Sequence, residues 1–352
     1  MTARLVGRAL RGLSLAQLRH VTPVRARAAP PGVRRVYRAV EREFGVLAPP
    51  LAAHAAAPAT LAACWALLRE TLLVPGAASR EAKEAVAAAV SVGNVCPYCV
   101  TMHAGALRGL AAGPVARAVE RGAFEAIPEG GTRAVAGWAA AGARRDSAGP
   151  PPFPAAAPEL MGVALLLHYL NRVVNVFLGE LPLPPWAPAR TMGAVSPVLA
   201  WVIRSAGRRV GPPGRAPAAG AAPPPDLRWA AGNGSVARAV AEAALAAEAA
   251  GARAAPLAVR ELLAGQLADW DGRPRGPSRA WVDDAVAPLT PGERPAGRVA
   301  LLVALASYQV TDDDLAALPE PARDERALVE LVSWAAMAAA RTVVAWSAPE
   351  AA

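Results

Sequence analysis

Residues 84–103 read EAVAAAVSVGNVCPYCVTMH, and they hold two of the chain's three cysteines and one of its four histidines. Cys96 and Cys99 are separated by Pro97 and Tyr98, His103 stands four residues after Cys99, and Glu84 stands twelve before Cys96. The alanine-rich run reads as a helix that Gly93-Asn94 ends, and Pro97 suits the first turn of the next. Cys96 then falls near a helix N-cap and Cys99 in the first turn. Unpartnered backbone N–H groups and the positive end of the helix dipole favour a thiolate there, so a lowered cysteine pKa is expected. His103, at i+4 from Cys99, shares its helix face. Glu84, on the helix before the turn, is placed to fold back against that face and hold the imidazole.

Other readings of the stretch are weaker. A thioredoxin-type C-x-x-C follows a β-strand, whereas the residues before Cys96 show no β-branched alternation. A c-type haem site needs histidine directly after the second cysteine, where Val100 stands. A zinc site would have Cys96, Cys99 and His103 as ligands, with no second C-x-x-C or histidine pair to complete it. Two core thiols meeting by chance would not bring a histidine and a glutamate with them.

The pattern Glu84, eleven residues, Cys96-Pro97-Tyr98-Cys99, three residues, His103 resembles the active-site signature of the alkylhydroperoxidase D and carboxymuconolactone decarboxylase family, in its C-x-x-C-x-x-x-H subgroup. The resemblance is strongest over about residues 40–110. It implies an all-helical fold and a thiol-dependent peroxidase acting on hydrogen peroxide or organic hydroperoxides. In that reading Cys99 attacks the peroxide, Cys96 closes a disulfide, and His103 with Glu84 relays the proton. Glu81 is the rival carboxylate, and Glu84 is preferred on family spacing alone. Some peroxidase members carry histidine just before the second cysteine; Tyr98 here implies a simpler or slower relay. No bound cofactor or metal is expected, an external dithiol reductant is required, and a homo-oligomer is expected. A decarboxylase-type enzyme, which needs no cysteine pair, and a non-enzymatic redox sensor or scaffold are the alternatives.

At 352 residues the chain is long enough for two ordinary domains. Lys83 is the sole lysine among 37 basic residues, so the net charge of +9 reflects arginine-biased composition more than a choice of partner. The first forty residues hold nine arginines and no acid precedes Glu41. A basic arm over 1–32, solvated or disordered, is expected; without interleaved aromatics it does not read as a nucleic-acid surface. Three cysteines make no secreted disulfide framework, and Cys64, alone on an apolar helix, reads as an inert core thiol. A cytoplasmic location suits a dithiol that must be regenerated. The N-terminus shows no signal-type apolar region. The apolar runs Met161–Leu170 and Met192–Ile203 are too short to span a membrane.

Apolar periodicity and punctuation predict helices near 33–46, 58–73, 79–92, 96–110, 113–122, 131–145 and 159–178. Proline- and glycine-rich stretches follow at 181–190 and 211–226, and then further helices near 234–250, 256–269, 278–287, 296–309 and 325–346. Sustained alternation is absent, so the fold class is all-α. The long apolar helix near 159–178 carries His168, Asn171, Arg172 and Asn175, polar groups that must find partners at roughly 1–3 kcal/mol each. His168 and Arg172 are candidate pocket residues near the dithiol, or members of a satisfied core network. Ala306 to Asp313 (ASYQVTDD) echoes Cys96 to His103 (CPYCVTMH), keeping Tyr, Val and Thr while replacing both cysteines and the histidine. The expected organisation is a tandem repeat: an active domain over 33–210, a linker over 211–226, and a degenerate copy over 227–352.

Overall fold

Proline or a capping side chain opens most of the helices that the periodicity predicts, and an all-α protein results. The computed structural model describes residues 10–111, 113–179, 210–214 and 223–348. Before the linker come α1 (Arg11–Leu15), α2 (Pro31–Glu43), α3 (Pro58–Leu68), α4 (Arg80–Gly93), α5 (Pro97–Leu110), α6 (Gly113–Glu120), α7 (Gly131–Ala141) and α8 (Ala157–Phe177). After it come α9 (Gly234–Ala254), α10 (Leu257–Ala268), α11 (Ala280–Val286), α12 (Arg294–Ala306) and α13 (Glu325–Ala345). Among the described residues there is no strand, only an isolated antiparallel bridge between Leu18 and Leu178. Pro58 and Pro97 sit in the first turns of α3 and α5, where the missing N–H costs nothing. Ser79 caps α4 by accepting from the Ala82 N–H at 3.1 Å. The segment 58–73 is helical as expected, but its last turn, Arg69–Leu73, widens into a π-helix.

Helix α8 is the axis of the molecule. It is buried along nearly its whole length and packs against α4 on one side and α13 on the other. Helix α9 lies on both α3 and α13, and Gly251 allows that approach, since a β-carbon there would overlap the Trp334 ring. One apolar core therefore runs across the linker. Helices Pro154–Phe177 and Glu325–Ala345 are long and apolar enough to cross a membrane, yet 94% and 78% of their apolar windows are buried inside the protein. Their hydrophobicity is used on each other, at about 1.5–3 kcal/mol per fully buried aliphatic side chain. Lys83, 1% exposed, fixes α4 to α8 through Glu159 at 2.8 Å and also donates to the Val74 carbonyl at 2.9 Å.

Two expectations change. Over residues 10–32 the basic arm is partly packed, with Leu15, Val21 and Ala29 buried while Arg19, Arg25 and Arg27 stay exposed. Two of its four described arginines pair within the chain, Arg11 with Glu41 at 2.6 Å and Arg19 with Asp312 at 2.6 Å. The echo octapeptide also folds unlike its counterpart. Ala306 ends a helix, Ser307–Gln309 forms a 3-10 turn, and the next helix begins only at Asp312. The run Met192–Ile203, the stretch 181–190 and the middle half of the linker, 215–222, lie outside the described residues. The described ends of the linker are tied down: Arg69 donates to the Gly211 and Pro212 carbonyls, and Arg341 grips Asp226 through two nitrogens at 2.7 and 2.8 Å.

Candidate active site

The dithiol sits at the corner between α4 and α5. Asn94 is the C-cap of α4, and its N–H reaches the Val90 carbonyl at 3.0 Å. The chain then turns at Val95, whose φ of 51° lies in the left-handed region. The Cys96 N–H closes back onto the Ser91 carbonyl at 3.0 Å, the six-to-one bond of a helix-ending turn that ordinarily uses glycine. A β-branched residue there stores roughly 1–3 kcal/mol of backbone strain. Cys96 is the N-cap of α5, with no side-chain hydrogen bond to the helix, and Cys99 lies in its first turn. Both are buried, at 1% and 5% exposure, and Cys96 is near enough to Cys99 to raise its thiol pKa.

One turn further, His103 Nδ1 lies 2.7 Å from Glu84 Oε2. Glu84 is buried in α4 and is also held by Arg80, whose Nε and a terminal nitrogen lie 2.7 and 2.6 Å from Oε1. Burial alone would raise the Glu84 pKa, but the charges and hydrogen bonds of Arg80 and His103 overturn it and hold the carboxyl at about 2. An ionised Glu84 accepts, so Nδ1 carries the proton and Nε2 is the basic nitrogen of the neutral ring. Glu81 is engaged elsewhere, accepting from Thr132 Oγ1 at 2.5 Å. Arg80 was not among the candidates read from the sequence, although its i,i+4 spacing to Glu84 is the signal that would have found it.

The lowered thiol pKa expected from the helix dipole is not what the corner produces at Cys99. The Cys96 contact, burial and the Cys96 charge all raise the Cys99 thiol well above the usual cysteine value, and only a hydrogen bond from Asn171 opposes them. Tyr98 is half-buried beside the pair, and burial with the two neighbouring sulfurs pushes its phenol up. Cys64 lies buried in α3, and burial raises its thiol too.

His168 and Arg172 lie on the α8 face behind this corner, both in the polar network and at the edge of a cavity. Asn94 donates to Asn171 Oδ1 at 2.9 Å and its amide nitrogen is 3.2 Å from His168 Nδ1. Arg172 donates to Asn94 Oδ1 at 3.2 Å, to the His168 carbonyl at 2.6 Å and, across the linker, to the Ala304 carbonyl at 2.9 Å. Asn175 donates to Ser307 Oγ at 2.9 Å and to the Asn94 carbonyl at 3.3 Å. The cavity holds about 30 Å³ and includes His168, Arg172, Asn94, Trp270, Ala306 and Tyr308 in its wall. Burial, then the neighbouring Arg172 charge, lowers the His168 pKa well below the usual histidine value, so this ring is neutral. Asn94, Asn171 and Ser91 complete the network and were not among the candidates. Among the described residues no group of three histidine, cysteine or carboxylate side chains is arranged to hold a metal ion.

No family model matches the chain and no solved structure matches it. A protein of Mycobacterium tuberculosis, the alkyl hydroperoxide reductase Rv2159c, is 38% identical over 333 residues, spanning 93% of this chain and 94% of that protein. That extent covers both halves and the corner between α4 and α5. The chain belongs to the alkylhydroperoxidase-like family that this reductase represents.

Proposed function

We propose that the chain is a thiol-dependent peroxidase that reduces hydroperoxides at the Cys96–Cys99 corner. The observation that carries this reading is the 2.7 Å contact between Glu84 and His103, one turn from a cysteine pair at a helix N-terminus. The relative's name, alkyl hydroperoxide reductase, agrees with it. In the first step the Cys99 thiolate attacks one peroxide oxygen and the O–O bond breaks. Cys99 becomes a sulfenic acid and an alkoxide or hydroxide leaves. His103, relaying the thiol proton through Nε2, supplies it to that leaving group as an alcohol or water. The Cys96 thiol then condenses with the sulfenic acid, expelling water and forming the disulfide. An external dithiol returns the pair to the reduced state by exchange. His103, with its side chain 17% exposed, marks the side from which a peroxide reaches the buried sulfurs.

The test is a thiol titration of the denatured chain before and after one equivalent of hydroperoxide. The reduced protein carries three thiols. Loss of two, with a Cys96–Cys99 disulfide found by peptide mass mapping, supports the peroxidase. Three thiols retained after exposure sinks it in favour of a decarboxylase-type or non-enzymatic role.

A further inference from the structure

Arg172 is a buried charge without a countercharge. It is 5% exposed, and its hydrogen bonds all go to neutral oxygens. Nε donates to the Ala304 carbonyl at 2.9 Å, and Nη1 donates to the His168 carbonyl at 2.6 Å and to Asn94 Oδ1 at 3.2 Å. Among the described residues Nη2 has no partner and no carboxylate pairs with the guanidinium. Burial alone acts on its pKa, lowering it to about 10, so the group stays charged at neutral pH. A charge so deep ordinarily meets an opposite one, because little water reaches it. A second donor lines the same cavity of about 30 Å³. Ser307, 5% exposed, accepts the Asn175 amide proton on Oγ at 2.9 Å, and its own hydroxyl proton has no acceptor among the described residues. Two other polar groups of the wall spend their protons elsewhere, the Tyr308 hydroxyl on the Arg275 carbonyl at 2.5 Å and Trp270 Nε1 on the Arg273 carbonyl at 3.1 Å. With His168 neutral, Arg172 is the one charged side chain among the described lining residues.

We propose that this cavity is a binding site for one small monovalent anion, of the size of chloride or formate, held by Arg172 Nη2 and the Ser307 hydroxyl. The charge of the wall sets the valence, since a single anion cancels a single guanidinium. The volume sets the size: about 30 Å³, against the roughly 10–15 Å³ that one water needs, admits a halide and excludes an anion as large as gluconate. Both contacts are charge-assisted hydrogen bonds, the stronger kind. Arg172 comes from the half before the linker and Ser307 from the half after it, so the anion joins the two. The Trp270 ring, 5.9 Å from the guanidinium, adds an apolar wall that keeps the pair dry. The site stands whether or not the neighbouring dithiol reduces peroxides.

The experiment melts the reduced full-length chain in buffers of constant ionic strength in which sodium chloride replaces sodium gluconate stepwise. No peroxide is used, so a chain inert to peroxide would end the peroxidase reading without deciding this one. In the parent the melting temperature rises by about 1–3 °C and levels off as the site fills. In Arg172→Gln, which keeps an amide donor and loses the charge, chloride and gluconate give the same melting temperature. In Ser307→Ala, which keeps the charge, the half-saturating chloride concentration rises roughly tenfold. A parent that melts alike in both salts, a rise that does not saturate, or an equal rise in folded Arg172→Gln marks at most a general salt effect and overturns the proposal. Where Arg172→Gln does not fold, crystals of the parent in sodium bromide decide: an anomalous peak beside Arg172 Nη2 and Ser307 Oγ supports the site, and no peak there overturns it.

Discussion

Two corners meet at Asn175, which donates to the Asn94 carbonyl on one side and to Ser307 on the other. At the first, α4 ends, Val95 turns the chain, and α5 begins at once with Cys96 as an N-cap whose side chain makes no hydrogen bond to the helix. At the second, α12 ends at Ala306, a 3-10 turn intervenes, and the next helix starts at Asp312 behind Thr311. There Asp314 reaches back to the Thr311 N–H and Oγ1, both at 2.8 Å, and is itself gripped by Arg279 and Arg298. The second helix start is closed by its own capping box; the first is left to the sulfurs. A thiol at a helix N-terminus gains from the dipole only where no carboxylate already occupies the N–H groups. The difference in chemistry between the corners is thus a difference in capping as well as in cysteines.

Replacing the sulfur gives the largest expected effect. Cys99→Ser should abolish peroxide consumption, while Cys96→Ser should allow one turnover and leave a sulfenic acid on Cys99, read by mass spectrometry. Gln309→Ala, at the second corner, loses a hydrogen bond to the Gly276 carbonyl and should leave peroxide consumption within about twofold. A folded Gln309→Ala as inactive as Cys99→Ser would break the comparison.

Next in size is the pair of buried carboxylates, one at each corner. Asp314→Asn removes the charge that Arg279, Arg298 and the cap share, and should cost on the order of 2–3 kcal/mol in denaturant unfolding. Peroxide turnover should be unaffected. Glu84→Gln should do the converse, lowering turnover about tenfold at pH 6 and less at pH 8, where hydroxide removes the thiol proton directly. Glu81→Gln should change turnover less than twofold. Equal pH–rate profiles for Glu84→Gln and the parent would remove Glu84 from the relay.

The same carboxylate makes a prediction for stability. Its folded pKa of about 2 lies below the ordinary 4.5, so its contribution is complete above about pH 4.5 and is lost as pH falls from there through about 2. The parent should therefore lose stability more steeply over that window than Glu84→Gln, measured by unfolding midpoints at fixed temperature. A parallel decline in both would place the acid sensitivity in other carboxylates.

The smallest expected effect is at Val95. Glycine there accepts the left-handed backbone at no steric cost, so Val95→Gly should relieve strain at the expense of unfolded-state entropy, a net change within about 1 kcal/mol. Because the turn positions Cys96, the readout that sharpens the comparison is the rate of disulfide closure after one peroxide equivalent. A slower closure in a protein of equal stability would show that the strained turn holds Cys96 ready.

The helices were legible in the sequence because their signals are local. Apolar spacing, Pro58, Ser79, Pro97 and the Gly93-Asn94 stop lie within a few residues of what they determine, and the boundaries agree to within a turn for most helices. The cysteine pair and His103 were legible for the same reason, since i+3 and i+4 on one helix leave little freedom. The Glu84 contact crosses a single turn between adjacent helices. What only the tertiary structure decided lies at long separation. The partners of Arg172 include a carbonyl 132 residues away, and those of Asn94 include amides 77 and 81 away, with no spacing rule to announce them. Burial against a second sulfur, which raises Cys99 where the helix start alone predicts a lowering, follows from packing around α8. The basic arm turned on the same thing. Its Arg11 and Arg19 find Glu41 and Asp312 only once the chain has folded, and charge composition alone does not distinguish a paired arginine from a solvated one.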